Sequence, residues 1–207
     1  MKIVLLGGAF DPPHRGHRII AKSVIGAGLA EEVWFVPVRH HHFIKQMTEA
    51  QHRAAMLELI CQEDQQTQGW LGAKKDSSSN PLRVEYYELN RPAEEINYSF
   101  ETLEALSQQH PEHAFAWLIG SDNVESFSRW KDYQKMLKQY PVYVYPRQGW
   151  PMTSLLTGMI ALTQVEPVTI SSTEIRDKVA QGLPITDLVD PAIERYIYDH
   201  ELYRSEQ

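Results

Sequence analysis

Apolar and polar positions along this chain switch between a strand period and a helix period, and the switches mark out its elements. Ile3-Val4-Leu5-Leu6 is a short all-apolar run, which suits a strand buried on both faces. Ile19, Ile20, Val24 and Ala27 then follow a helical period that Gly28 is placed to end. Residues 32–38 read as a second buried strand, giving a β-α-β unit, and a crossover of that length implies parallel strands. Thr48 and Gln51 have capping-box spacing ahead of a helix that runs through Ala54, Leu57, Ile60 and Cys61 to about Glu63.

Beyond it, Gly69, Gly72, three serines and Pro81 predict a loop over 65–81. Strands are predicted over 82–89, 114–120, 142–145 and 160–165, and helices over 99–110, 130–139, 172–181 and 191–200. This alternation predicts one α/β domain over residues 1–207. Its sheet is mainly parallel and flanked by helices, with a C-terminal helical portion from about residue 171 and ligands beyond the carboxyl ends of the strands.

Composition narrows the function classes. The 207 residues are 43% hydrophobic and 23% charged, as in an ordinary globular chain. No apolar run approaches the ~20 residues of a membrane helix, and the N-terminus lacks a basic region followed by a signal core, so a cytoplasmic location is expected. The net charge of −7 disfavours nucleic acid and anionic membranes as partners, while leaving room for a small anion at a local basic site. Cys61 is the lone cysteine, so it can form neither an internal disulfide nor a multi-cysteine zinc site, and it reads as core filler. The composition is compatible with a homo-oligomer.

Two stretches read as chemistry. In the first, Gly7-Gly8-Ala9-Phe10-Asp11-Pro12-Pro13-His14-Arg15-Gly16-His17 follows the N-terminal strand directly. Glycines there let backbone approach a ligand closely. A helix beginning near Pro13 or His14 places His14 and His17 on one face of its first turn, where unpaired N–H groups favour an anion. A tight turn, proline-started helix and exposed histidines would explain each part singly, but less well the combination. In the second stretch, Thr169-Ile170-Ser171-Ser172-Thr173-Glu174-Ile175-Arg176, Ser171 and Glu174 have capping-box spacing. Capping leaves Arg176 unexplained: a cation near a helix N-terminus opposes the dipole unless an anion sits there.

The first stretch resembles the [H/T]-x-G-H signature of the nucleotidylyltransferase superfamily and the second its I-S-S-T-x-I-R signature. The combination is most similar to the bacterial nicotinate-mononucleotide adenylyltransferases, and with the alternation above it implies a Rossmann-like sheet. Asn97-Tyr98-Ser99-Phe100-Glu101-Thr102-Leu103 resembles that family's Y-[ST]-x-x-T-L segment, and Ile119-Gly120-Ser121-Asp122 its I-G-x-D. Trp130 and Arg147-Gln148-Gly149 also fall where the family has them, so the resemblance covers nearly the whole chain except 65–81.

The resemblance implies transfer of AMP from ATP to the phosphate of a pyridine mononucleotide, with Mg2+ bridging the ATP phosphates. It assigns His14, His17 and Arg176 to catalysis. It assigns Gly8, Ala9, Phe10, Gly16, Gly120, Asp122, Ile170, Ser171, Ser172 and Thr173, with those three, to ATP. The acceptor side falls to Lys45, Ser99, Thr102, Trp130, Lys131 and Arg147. Ala9 departs from the family's usual threonine, His40-His41-His42-Phe43-Ile44-Lys45 from a Pro-Pro-His-[KR] loop, and Lys131 from a common aromatic. Adjacent histidines cannot easily converge on one metal ion. The departures bear on the pyridine: Lys131 could favour nicotinate's carboxylate, whereas neutral nicotinamide needs a donor and an acceptor. Nicotinate mononucleotide is the expected acceptor and nicotinamide mononucleotide the alternative.

Three rivals remain. A phosphopantetheine adenylyltransferase is generally shorter and usually has threonine in place of His14. An idle nucleotide-binding module would be expected to have lost His17, Arg176 or a motif glycine. A fragment of an aminoacyl-tRNA synthetase, which shares an H-x-G-H signature, would lack an anticodon-binding region here.

Overall fold

The computed structural model describes residues 1–39, 47–66, 80–92 and 94–204. Six strands, β1 (Lys2–Gly8), β2 (Glu32–Pro37), β3 (Leu82–Val84), β4 (Ala114–Gly120), β5 (Val142–Tyr145) and β6 (Met159–Ala161), form one sheet in the order β3-β2-β1-β4-β5-β6. Every neighbouring pair is parallel. Among the described residues seven α-helices connect and follow them: α1 (Arg15–Gly26), α2 (Ala50–Gln66), α3 (Ser99–Gln109), α4 (Val124–Phe127), α5 (Tyr133–Gln139), α6 (Ser172–Ala180) and α7 (Pro191–Asp199).

Alternation along the central strands divides the core between the sheet's two faces. Val4, Leu6, Val33, Phe35, Ala116 and Leu118 face one way, covered by α1, α2, α6 and α7 through residues such as Ile20, Leu57, Ile175 and Ile193. Ile3, Leu5, Trp34, Val36, Trp117 and Ile119 face the other, under Phe100, Leu103, Phe127 and Met136 of α3, α4 and α5. The C-terminal helices thus close one face of the sheet, and Cys61 packs in that layer, 4% exposed.

The predicted α/β architecture is the observed one, with local differences. The strand expected over 82–89 stops at Val84; Glu85 makes one more backbone bond to Phe35 of β2, at 2.8 Å, and Tyr86 to Leu89 lie beyond the strand. Trp130 does not begin a helix: α5 starts at Tyr133, after Asp132 in the left-handed region at φ 55°, and the short α4 precedes it. Thr48 and Gln51 form no capping box, because α2 begins at Ala50 and Gln51 Nε2 donates to Glu49 instead. Most of the 65–81 loop, residues 40–46 with Lys45, and residues 205–207 lie outside the described residues.

This strand order places a switch point between β1 and β4, where connections leave in opposite directions and the strand ends open a crevice. Gly7 and Gly8 of β1 and Gly120 of β4 lie at that edge.

Candidate active site

Two glycines keep the crevice narrow. A Cβ on Gly7 would lie 2.5 Å from Cζ2 of Trp117, and one on Gly120 would overlap the Asp122 carboxylate. A Cβ on Gly8 would meet only Phe10 at ordinary contact distance, so Gly8 acts by lining open space. The adjoining cavity, about 480 Å³, is bounded by Gly7, Gly8, Trp117, Ser99, Asp122 and Trp130 among others.

His14 is the N-cap of α1 and His17 its third residue, and their rings stack with centroids 3.8 Å apart. The backbone N–H of His14 donates to His17 Nδ1 at 3.2 Å, which makes that nitrogen the acceptor and leaves Nε2 to carry the proton. Burial, with the positive charge of Arg147 adding to it, lowers the His17 pKa to about 3. His14 is held well below the ordinary imidazole value by burial, then by His17 and Arg147. Both rings are therefore neutral hydrogen-bond donors near pH 7. Gly16 lets them pack: its Cβ would lie 2.6 Å from Val168 Cγ1 and 2.9 Å from two atoms of the His14 ring.

The turn between β1 and α1 is held by five donors. Arg53, 1% exposed, donates to the carbonyls of Ala9 at 2.7 Å and Thr48 at 2.8 Å. Asp11 accepts from the Thr48 N–H at 3.1 Å and the Tyr203 hydroxyl at 2.7 Å. Arg176 donates to the Asp11 carbonyl at 2.7 Å, and the Ser172 hydroxyl to that of Pro12 at 2.8 Å. These last two bonds bring the sequence's distant chemical stretches together. Within the second stretch Ser171 caps α6, accepting from the Glu174 N–H, while Thr173 accepts from Arg176 and Ile170 packs against the core.

Across the crevice Ser121 accepts from the Arg147 N–H at 2.9 Å and donates to the Trp150 carbonyl at 2.6 Å. Arg147 Nε lies 3.7 Å from the Asp122 carboxylate. Arg147, expected on the acceptor side, thus stands beside Asp122, with its charge felt by the paired histidines and its side chain outside the cavity wall.

Ser99, Trp130 and Lys131 do border the cavity. Lys131 is already engaged: Nζ lies 2.6 Å from Glu101 and over the Tyr98 ring. Thr102 corrects an expectation. Fully buried, it donates to Glu88 at 2.8 Å, so its hydroxyl is inside the protein and not on the cavity surface. Glu88 borders the same cavity, its other oxygen is buried without a partner, and burial pushes its carboxyl up to about 7.

Sequence reasoning missed Arg53, Ser121 and Glu88. A signal for Arg53 existed, because 53, 56, 57 and 60 share one helical stripe whose other members are apolar and buried. Glu88 follows a three-residue strand and has no periodicity to reveal it.

Comparisons with known proteins find relatives along nearly the whole chain. The cytidylyltransferase-like family matches residues 5–178. A Bacillus pumilus protein named probable nicotinate-nucleotide adenylyltransferase is 33% identical over 207 residues, covering 99% of each chain. A Myxococcus xanthus protein of the same name is 32% identical, covering 98% of this chain and 95% of its own. Among solved structures, Plasmodium falciparum nicotinic acid mononucleotide adenylyltransferase complexed with NaAD superposes with a TM-score of 0.73. At 20% identity over 98% of this chain and 97% of that one, this likeness shows the fold alone.

Proposed function

The chain belongs to the nicotinate-nucleotide adenylyltransferases of the cytidylyltransferase-like family, and from that premise we propose that it transfers AMP from ATP to nicotinate mononucleotide. A phosphate oxygen of the mononucleotide bonds to the α-phosphorus of ATP, the α–β bridging P–O bond breaks, and pyrophosphate leaves with that electron pair. The product is nicotinate adenine dinucleotide, made for NAD biosynthesis. The observation that carries this reading is the stacked, neutral His14–His17 pair at the β1–β4 switch point, with the charge of Arg147 acting on both rings and Arg176 bonded to Asp11 of the preceding turn.

No covalent intermediate on the enzyme is needed, so catalysis consists of placing two anionic phosphates and neutralising charge as it moves to the leaving group. The Nε2–H of His17 donates to a phosphate oxygen, with the His14 ring beside it. Arg176 and the free N–H groups starting α6 hold the β and γ phosphates. Arg147 offers its guanidinium to the α-phosphate from the opposite wall. Gly120 and Asp122 hold the adenosine ribose, Trp130 stacks on the pyridine, and Ser99 and Lys131 lie beside it. Lys45 contacts the acceptor phosphate.

Mg2+ enters this reading as the counter-ion of ATP. Both Asp11 oxygens are engaged by Thr48 and Tyr203, and Asp122 faces Arg147, so these carboxylates do not fit a protein-built cage for it. No step is routed through the ion. Among the described residues no helix is long and apolar enough to cross a membrane. We infer a cytoplasmic site of action from the biosynthetic role proposed here.

Pyrophosphate release with ATP, Mg2+ and each pyridine mononucleotide in turn tests the reading. The acid is expected to be the better substrate, and silence with both would refute it.

A further inference from the structure

The active-site turn is fastened to the far end of the chain. Tyr203 lies in the turn after α7, and its hydroxyl reaches across 192 positions to donate to Asp11 Oδ1 at 2.7 Å. The other oxygen of Asp11 is taken by the Thr48 N–H and its carbonyl by Arg176, so the residue is fixed on three sides. Asp11 is 3% exposed. Without the hydroxyl, Oδ1 would be left with no partner in a site that water reaches poorly.

What Asp11 holds is unusual backbone. Its neighbour Phe10 has φ 51°, in the left-handed region that a bulky side chain occupies only when its surroundings over-determine it. That conformation seats the Phe10 ring edge-on against His17, centroids 4.9 Å apart, and against Phe35 at 5.8 Å. His17 is in turn stacked on His14. A continuous line of contacts therefore runs from the C-terminal turn to the two imidazoles.

We propose that Tyr203 is a positioning residue for adenylyl transfer: through Asp11 it holds the 9–12 turn in the shape that presents Phe10 to His17, and so aims the paired imidazoles. It touches no substrate and takes no part in proton movement. Burial, with the Asp11 charge adding to it, raises its phenol pKa, so the group stays a donor throughout the working range. The proposal rests on the adenylyltransferase reading for its catalytic readout. Its structural core can be measured without turnover.

The test compares wild type with Tyr203→Phe, with Leu202→Ala, which loosens the same turn without touching Asp11, and with Tyr198→Phe, which removes a more exposed tyrosine hydroxyl from α7. Calorimetric titration with Mg-ATP counts competent sites, and kcat for pyrophosphate release is expressed per site. In Tyr203→Phe the site count stays at one per chain, the KM for ATP changes by less than about threefold, and kcat per site falls about tenfold or more. Leu202→Ala lowers the melting temperature and leaves kcat per site near wild type, and Tyr198→Phe changes neither.

In protein labelled at histidine, the ring resonances of His14 and His17 move in Tyr203→Phe and stay in place in Leu202→Ala. The proposal is overturned if those resonances stay in place in Tyr203→Phe. An unchanged kcat per site would overturn it too, as would a loss matched by Leu202→Ala or accounted for by fewer competent sites. Should wild type release no pyrophosphate, the functional reading fails, and the resonances still decide the positioning claim.

Discussion

Gly16→Ala isolates the packing that aims the histidines from the stability of the fold. The added Cβ would stand 2.6 Å from Val168 Cγ1, about 0.8 Å short of the 3.4 Å at which ordinary contact begins, and 2.9 Å from Nδ1 and Cε1 of His14. Neither neighbour yields easily: Val168 is 7% exposed and His14 1%. Overpacking of this kind costs about 1–3 kcal/mol, offset in part by the ~0.5–1 kcal/mol that alanine gains over glycine inside a helix. The net loss, at most about 2.5 kcal/mol, lowers the melting temperature by no more than roughly 10 °C in a chain of this size. The rate suffers far more, because a displacement of about 1 Å in a positioning group costs about a hundredfold. Thermal unfolding followed by circular dichroism and pyrophosphate release at saturating ATP measure the two effects. Adding Val168→Ala removes the nearer clash and leaves the one with the ring, so kcat stays low. Wild-type kcat in Gly16→Ala would refute the role given to the His14 ring.

Three further outcomes follow from charge and burial. Burial raises the folded-state pKa of Glu88 from 4.5 to about 7, so the folded chain holds this proton more tightly than the unfolded one. The resulting stability is complete below about pH 4.5 and lost as pH rises through 7, a change on the order of 3 kcal/mol. Urea unfolding should show wild type losing stability relative to Glu88→Gln, which has no carboxyl to titrate there, as pH rises from 4.5 to 7, and a difference independent of pH would contradict it. His17 is shifted the other way: its stabilising contribution is present above pH 6.5 and lost as pH falls toward 3. The His14 and His17 ring resonances are therefore expected to hold still from pH 8 to 5, and a titration near 6.5 would show that the rings are not held neutral. Arg147→Ala should cut kcat by about a hundredfold or more, with Arg147→Lys recovering only part, and should move both imidazole titrations to higher pH. Unchanged titrations would separate Arg147 from the pair.

The sheet was legible because β1, β2 and β4 carry apolar runs that only a strand buried on both faces requires. The strand order followed less directly, since β3 and β6 each have three residues and too little pattern to place them. At the site, the His14 and His17 spacing and the capping by Ser171 were readable locally. Their meeting with Arg176 was not, because it depends on bonds to Asp11 and Pro12 more than 150 positions away. Arg147 was named from the sequence, but its place beside Asp122 was not legible, since sequence order says nothing of which side of Asp122 the next strand's loop will pass. Trp130 read as the start of an amphipathic helix, yet the left-handed Asp132 delays that helix to Tyr133.

The central claim is that two neutral imidazoles and two arginines at the β1–β4 edge serve adenylyl transfer to a pyridine mononucleotide. Incubating the protein with ATP, Mg2+ and nicotinate mononucleotide, and quantifying pyrophosphate and dinucleotide together, tests it most directly. The expected result is equimolar formation of both, lost in His17→Ala while that variant stays folded. Pyrophosphate without dinucleotide, neither product, or full activity in His17→Ala would contradict it.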